Sequence, residues 1–359
     1  MSEIVSGLEG VVAFATEIAE PDRDGGALRY RGVDLEELAG RVPFERVWGL
    51  LVDDALEPGL PAVADPVPEP RGGEPRAELQ AALAEMGPAW GLPPLVDVDA
   101  GTARDHVARL SAGALAFAAR AARVPGPAVP DAEIARGATA AERFLIGWRG
   151  EADPVHARAI DAYWVSAAEH GMNASTFTAR IVASTGADAA AAMSAAVGAL
   201  SGPLHGGAPS RVVEMLDAVE REGDAARWVA GALGRGERLM GFGHRVYRAE
   251  DPRARVLRRT ARDLGAPRLA VAEELEAAAL AALAERKPDR VLATNVEFWS
   301  AVVLDLAEVP PSLFLPLFAC ARTAGWSAHV VEQRRTGRLV RPSALYSGPA
   351  ERPLAALAA

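Results

Sequence analysis

Residues 187–207 read ADAAAAMSAAVGALSGPLHGG, and the fold can be reasoned outward from them. Ala187 to Leu200 is apolar on every face, so it is a helix of the protein interior rather than an amphipathic surface helix. Gly202-Pro203 stops that helix immediately before His205. The histidine is left between glycines and a proline, on backbone that neither helix nor strand would choose. A chain presents an imidazole to a ligand in this way.

Two further islands share this character: Glu169-His170-Gly171-Met172-Asn173 leading into Ala174-Ser175-Thr176, and Gly241-Phe242-Gly243-His244-Arg245-Val246-Tyr247-Arg248. Each falls at a helix boundary. Asn173 caps a helix over 174–184, and a helix over 224–239 stops at the glycines around His244. Asp251-Pro252 is a cap followed by proline at the first helical position, which puts Arg253 in the first turn. Asn295 caps 296–306 and puts Glu297 in that opening turn. Upstream, helical patterns run over 34–39, 44–54, 76–86, 102–122, 130–148 and 155–170, broken by proline-rich 57–76 and by Val124-Pro125-Gly126-Pro127. One hairpin signal exists, Gly10 to Ile18 and Ala27 to Arg31 about the turn at 21–26. The expected class is all-α with one short N-terminal β-hairpin, and 359 residues make two domains the default.

Bulk properties narrow the partners. A net charge of −10 with no run of Lys or Arg excludes nucleic acid and an anionic membrane surface as the main partner. No stretch reaches the ~20 apolar residues of a spanning helix, and residues 1–10 resemble neither signal peptide nor anchor, so a cytoplasmic protein is expected. The single cysteine, Cys320, reads as a small buried hydrophobe.

Among chemistries, metal binding lacks any His-x-x-x-His or Cys-x-x-Cys spacing, and Ser-His-Asp hydrolysis lacks a Gly-x-Ser-x-Gly elbow. Gly241-Phe242-Gly243 is too short for a nucleotide loop. No metal and no cofactor are expected. What remains, imidazoles with a helix-N-terminal carboxylate and arginines, suits proton abstraction from a carbon acid with carbonyl polarisation and carboxylate clamps. The helix dipole should favour ionised Glu297. Arg253 in a first turn opposes that dipole and calls for an anionic partner; Arg322, in the apolar 318–326 helix, needs a partner too. His106 and His156 read as inert on polar helical faces, His329 as a core or interface histidine, and Arg341 alone as solvent-exposed.

Six motifs in order along nearly the whole chain resemble the citrate synthase family: Glu9 to Ala13 with Tyr30-Arg31-Gly32; Asn173 to Arg180; Gly202 to Gly207; Met240 to Arg248 with Asp251-Pro252-Arg253; Asn295-Val296-Glu297-Phe298; and Arg341-Pro342-Ser343-Ala344. His170-Gly171-Met172 and the Trp299 that follows Phe298 resemble the actinobacterial citrate synthase 2 type. The resemblance implies a homodimer of two-domain helical subunits, with a large domain over 1–206 and 309–359 and a small domain over 207–308 closing on the substrates. It implies acetyl-CoA and oxaloacetate as substrates. Glu297 would remove the methyl proton of acetyl-CoA, His205 would stabilise the enol or enolate oxygen, and His244 would polarise the ketone. His170, His244, Arg253, Arg322 and Arg341 would bind oxaloacetate, Arg341 from the other subunit. Leu204, Met240, Gly241, Phe242 and Gly243 would meet CoA.

Two residues depart from the commoner pattern. Glu297 stands in place of aspartate and is one methylene longer, a displacement of about an ångström unless its helix sits further back. Gly171 replaces an acidic residue. A 2-methylcitrate synthase using propionyl-CoA, or a weakly catalytic paralogue that binds CoA or carboxylates, would carry the same motifs.

Overall fold

The computed structural model describes residues 4–8, 10–22, 24, 26–62, 65–203, 205–206, 209–243, 247, 250–289 and 292–353. Among them one sheet forms, from β1 (Ala19–Asp22), β2 (Ala27–Tyr30) and β3 (Val33–Asp34), antiparallel in that order with Ala19 opposite Tyr30. The first strand therefore starts at Ala19, beyond the expected 10–18. Part of that arm is tied elsewhere, since Thr16 Oγ1 and the Glu17 N–H both donate to Glu332 near the far end of the chain. Ile18, Leu28 and Tyr30 are fully buried and anchor the sheet to the helices.

The remaining regular structure is helical, as expected. Ahead of the first island run α1 (Leu35–Leu38), α2 (Phe44–Asp53), α3 (Pro75–Ala89), α4 (Ala100–Arg123), α5 (Asp131–Ile134), α6 (Ala140–Arg149) and α7 (Pro154–Ala167). Then come α8 (Ala174–Ser184), α9 (Ala189–Leu200), α10 (Pro209–Glu222), α11 (Ala225–Gly234), α12 (Pro252–Asp263), α13 (Leu269–Arg286), α14 (Val296–Leu306) and α15 (Phe314–Thr336). The single helix expected over 130–148 is two, α5 and α6. A Cβ at Gly137 would lie 2.7 Å from the Arg143 nitrogen, and Thr139 with Glu142 forms a capping box that starts a new helix. Similarly α11 ends at Gly234, before Gly236 turns left-handed, and not at Leu239. Two helices, α10 and α13, had no counterpart in the sequence reading; α13 starts at Leu269 after Arg268, which makes no side-chain cap.

Helix α9 packs against α3 and α8, so the all-apolar stretch is buried on both sides. Helix α15 runs through the middle of the protein against α2, α4, α7, α8 and α9. Helices α10 to α14 pack mainly on one another, and α12 and α14 also rest on α7. The fully buried Trp48, Trp164, Trp299 and Trp326 fill the core. The islands around His170 and His205 follow directly on the ends of α7 and α9, where backbone groups become available, and Gly241 to Gly243 lies between α11 and α12.

Candidate active site

His205 follows α9 in a tight turn, with its N–H and that of Gly206 both donating to the Gly202 carbonyl. Only glycine fits at 206, because a Cβ there would stand 2.4 Å from the Leu200 carbonyl oxygen. The ring Nε2 meets the second residue of α8: the Ser175 N–H donates to it at 3.3 Å, and Ser175 Oγ lies 3.0 Å away. That hydroxyl accepts from Trp326 Nε1–H and lies 2.8 Å from Asn173 Oδ1, so its single proton serves either Nε2 or Asn173. A backbone N–H can only donate, so the lone pair is on Nε2 and the proton on Nδ1. Burial first, and the charge of Arg322 second, hold the imidazole pKa down to about 4. His205 is thus a neutral Nδ1–H donor at physiological pH, the form that suits an oxygen gaining negative charge.

Arg322, on α15, is 2% exposed, and its Nε and Nη1 have no hydrogen-bond partner among the described residues. Burial pulls its pKa below the ordinary guanidinium value; Arg253 adds to that, and Glu169 opposes it. Glu169 went unnoticed in the sequence except as the residue before His170. Its carboxylate is fully buried beside Gly325, where a Cβ would fall 2.0 Å from Oε2, and it lies 3.4 Å from His329 Nε2. His329 is buried as expected, with Nδ1 3.1 Å from Arg180.

Arg253 is equally buried but is not free: its Nε and Nη2 reach the two oxygens of Asp251 at 3.0 and 2.8 Å. The anionic partner that its first-turn position called for is thus partly the cap residue itself. Asp251 also accepts the Val296 N–H at 3.0 Å and so joins the starts of α12 and α14. His170 lies past the end of α7, buried, with Nε2 3.0 Å from the Tyr247 hydroxyl. Gly171 has φ +61°, a left-handed conformation natural to glycine, and a Cβ there would press on Pro21 at 3.2 Å. An acidic side chain does not suit that position here.

Glu297 occupies the first turn of α14, its N–H taken by Asn295 Oδ1 at 3.0 Å. The dipole argument fails for it. Burial outweighs every other influence and pushes the carboxyl up to about 7, with Arg253 pulling it down and Asp251 raising it further. Such a group is a base poised near neutrality. The Met240 to Gly243 segment runs beside it. Gly241 has φ +87° and leaves no room for a side chain against Phe298, Phe242 bridges Thr294, and the Gly243 N–H donates to the Ala293 carbonyl at 2.7 Å.

The charges of Arg322 and Arg253 act on shared neighbours: Arg322 on His205, Tyr30 and Tyr163, and Arg253 on Glu297, Tyr30 and Tyr247. His170, His205, Arg253, Glu297 and Arg322 therefore form one cluster, to which the structure adds Tyr30, Tyr247, Asp251, Glu169 and Ser175. His244 and Leu204 lie outside the described residues. Arg341 is exposed, in a segment without regular structure after α15, and is not part of this cluster within its own chain. His106 is 7% exposed rather than on a polar face, with Nδ1 unpartnered among the described residues; His156 Nδ1 meets Arg149 at 2.8 Å. Among the described residues no group of His, Cys, Asp and Glu is arranged to hold a metal ion, and no helix is long and apolar enough to cross a membrane.

Residues 7–343 match the family model described as citrate synthase, C-terminal domain. A Mycobacterium tuberculosis protein provisionally named citrate synthase 2 is 62% identical over 351 residues, covering 97% of this chain and 94% of its own. The citrate synthase of Haloferax volcanii is 36% identical (96% of each chain), and the 2-methylcitrate synthase of Shewanella oneidensis 32% (97% and 96%). Among solved structures, the ternary complex of Thermoplasma acidophilum citrate synthase with carboxymethyl coenzyme A and oxaloacetate superposes with TM-score 0.84 at 28% identity, covering 99% of this chain and all of that one.

Proposed function

The chain belongs to the citrate synthase family, transferases that convert an acyl group to alkyl on transfer, and on that premise we propose that it condenses acetyl-CoA with oxaloacetate and water to citrate and CoA. The observation that carries this reading is Arg322, a buried guanidinium with two donors unused among the described residues, beside a second buried arginine. An unpaired buried cation is costly unless a ligand completes it, and a dicarboxylate supplies matching oxygens.

In this mechanism Arg253, Arg322 and His170 bind oxaloacetate, and His244 polarises its ketone. Glu297 takes a methyl proton from acetyl-CoA as the enol or enolate oxygen accepts a hydrogen bond from His205 Nδ1–H. One such preorganised donor is typically worth roughly 3 to 4 kcal/mol. The nucleophilic carbon then attacks the ketone carbon, its oxygen takes a proton from His244, and water cleaves the thioester to release CoA. Leu204 and Met240 to Gly243 would hold CoA. We take residues 207–308 as the small domain and the rest as the large one. We also take the enzyme as a cytoplasmic homodimer in which Arg341 completes the partner's site. An exposed tail bearing Leu339, Leu345 and Tyr346 supports that assembly.

The resemblance to a 2-methylcitrate synthase favours propionyl-CoA as the second reading, since one methylene in a pocket discriminates by only about 1 to 3 kcal/mol. The test is release of free CoA thiol from acetyl-CoA and propionyl-CoA in parallel, with and without oxaloacetate and with no added metal or nucleotide. Oxaloacetate-dependent turnover is expected, faster with acetyl-CoA. A higher kcat/KM for propionyl-CoA selects the second reading, and no turnover with either leaves a binding paralogue.

A further inference from the structure

Of the buried arginines among the described residues, Arg180 is paired with Glu332 and Arg253 with Asp251, whereas no carboxylate is bonded to Arg322. The buried carboxylates divide the same way. Asp251 holds Arg253, and Glu276 takes Arg258 at 2.6 Å and the Trp299 indole N–H at 2.9 Å. Neither oxygen of Glu169 accepts a hydrogen bond among the described residues. Glu169 and Arg322 are thus the anion and the cation left over in the interior, where a charge is tolerated only against an opposite one.

Their placement is built into α15. Arg322, Gly325 and His329 fall at i, i+3 and i+7 of that helix, on one face. The Glu169 carboxylate lies over Gly325, where a Cβ would stand 2.0 Å from Oε2, and the Gly325 N–H donates to the Ala168 carbonyl at 3.2 Å. It is therefore about one turn from Arg322 on one side and from His329 on the other. An Arg180 Nη1–H donates to His329 Nδ1 at 3.1 Å, which leaves the imidazole proton on Nε2, 3.4 Å from Glu169 Oε1. That neutral N–H can orient the carboxylate but cannot balance its charge. Of the charges that act on Arg322, that of Glu169 is the strongest, and it offsets part of what burial costs the guanidinium.

We propose that Glu169 is a positioning residue that acts through Arg322 as its built-in counter-ion, keeping the guanidinium in place in the empty site and weakening its hold on a dicarboxylate so that the tricarboxylate product can leave. The physical reason is Coulombic: a dianion approaching Arg322 meets the repulsion of the carboxylate already facing it. This rests on the reading of oxaloacetate as the ligand of Arg322 given above.

The test uses Glu169→Gln, which keeps the shape and loses the charge, and Glu169→Asp, which keeps the charge, in the intact enzyme. Calorimetry should show Glu169→Gln binding oxaloacetate at least about threefold more tightly than wild type, and Glu169→Asp within about twofold of it. Damage to the fold alone would weaken binding, so the direction of the change separates the two roles. Unfolding temperatures of ligand-free wild type, Glu169→Gln, Arg322→Met and the double variant complete a cycle. In it Glu169→Gln should be less favourable by at least about 1 °C with Arg322 present than with Arg322 replaced.

Unchanged or weaker binding by folded Glu169→Gln overturns the proposal, as does Glu169→Asp binding as tightly as Glu169→Gln, or an additive cycle. If Glu169→Gln does not fold, the double variant decides: recovery of the fold supports the pairing, and its failure overturns it. A wild-type protein that binds no oxaloacetate refutes the ligand instead, and the temperature cycle still judges the pairing.

Discussion

Replacing Glu297 with glutamine removes a proton acceptor and a buried charge together, so the substitution should slow turnover and raise stability. Burial holds this carboxyl at about 7 against an ordinary 4.5. The unfolded chain releases the proton through pH 4.5 and the folded chain through pH 7. Between those values the native state binds more protons, so stability falls as pH rises through the window and is level above it. The difference of 2.5 (7 − 4.5), at about 1.4 kcal/mol for each unit, gives a ceiling of about 3 kcal/mol, a ceiling because the side chain keeps some solvent contact. Glutamine carries no such penalty. With an unfolding entropy of about 0.75 kcal/mol/K for a chain of this length, the gain at pH 8 is at most about 4 °C, shrinking to about 1 °C at pH 5. Thermal unfolding of both ligand-free proteins at the two pH values measures it, and thiol release on the same samples should show kcat down by roughly 10² to 10⁴. Equal unfolding temperatures at pH 8 would mean that the carboxylate is solvated and its affinity for the proton ordinary. Near-wild-type turnover would mean that another group is the base.

Wild-type kcat/KM should rise with pH through about 7 as Glu297 ionises in the free enzyme, and a value independent of pH from 5.5 to 8.5 would count against that base. Arg322→Met should weaken oxaloacetate binding at least about a hundredfold, as a bidentate partner is lost, without lowering the unfolding temperature of the ligand-free protein, because the guanidinium there has unused donors; calorimetry and thermal unfolding check both. Mixed subunits of Arg341→Ala and Glu297→Gln, each inactive alone, should recover activity approaching about a quarter of wild type on exchange, because half the dimers then hold one intact site; no recovery after proven exchange would remove Arg341 from the partner's site. Gly206→Ala should abolish turnover while leaving helix content by circular dichroism near wild type, since its methyl would collide with the Leu200 carbonyl in the turn that carries His205; an active variant would show that the turn yields.

Much of the site could be read from residues close together in the chain. Asn173, Asp251 and Asn295 cap the helices that the sequence assigns them, and α8 and α14 have the expected bounds, because a cap is a bond between a side chain and an amide two or three residues away. The order of the histidine islands and the arginines was equally legible, as was the burial of α9. Where the reading failed, the missing information lay far off in the chain. The arm ahead of the displaced strand is held by Glu332, more than 300 residues from Thr16.

Sequence alone therefore determined the all-helical class, the family and the residues that could act on a carbon acid, since those rest on local pattern and on side-chain chemistry. Only the tertiary structure decided their state. It left Arg322 with two unused donors and gave Arg253 an Asp251 partner; it also made His205 a neutral donor and set Glu297 near neutrality. Each of these depends on how much water a group loses and which charges face it, and α7, α9, α14 and α15 settle both only when they pack together.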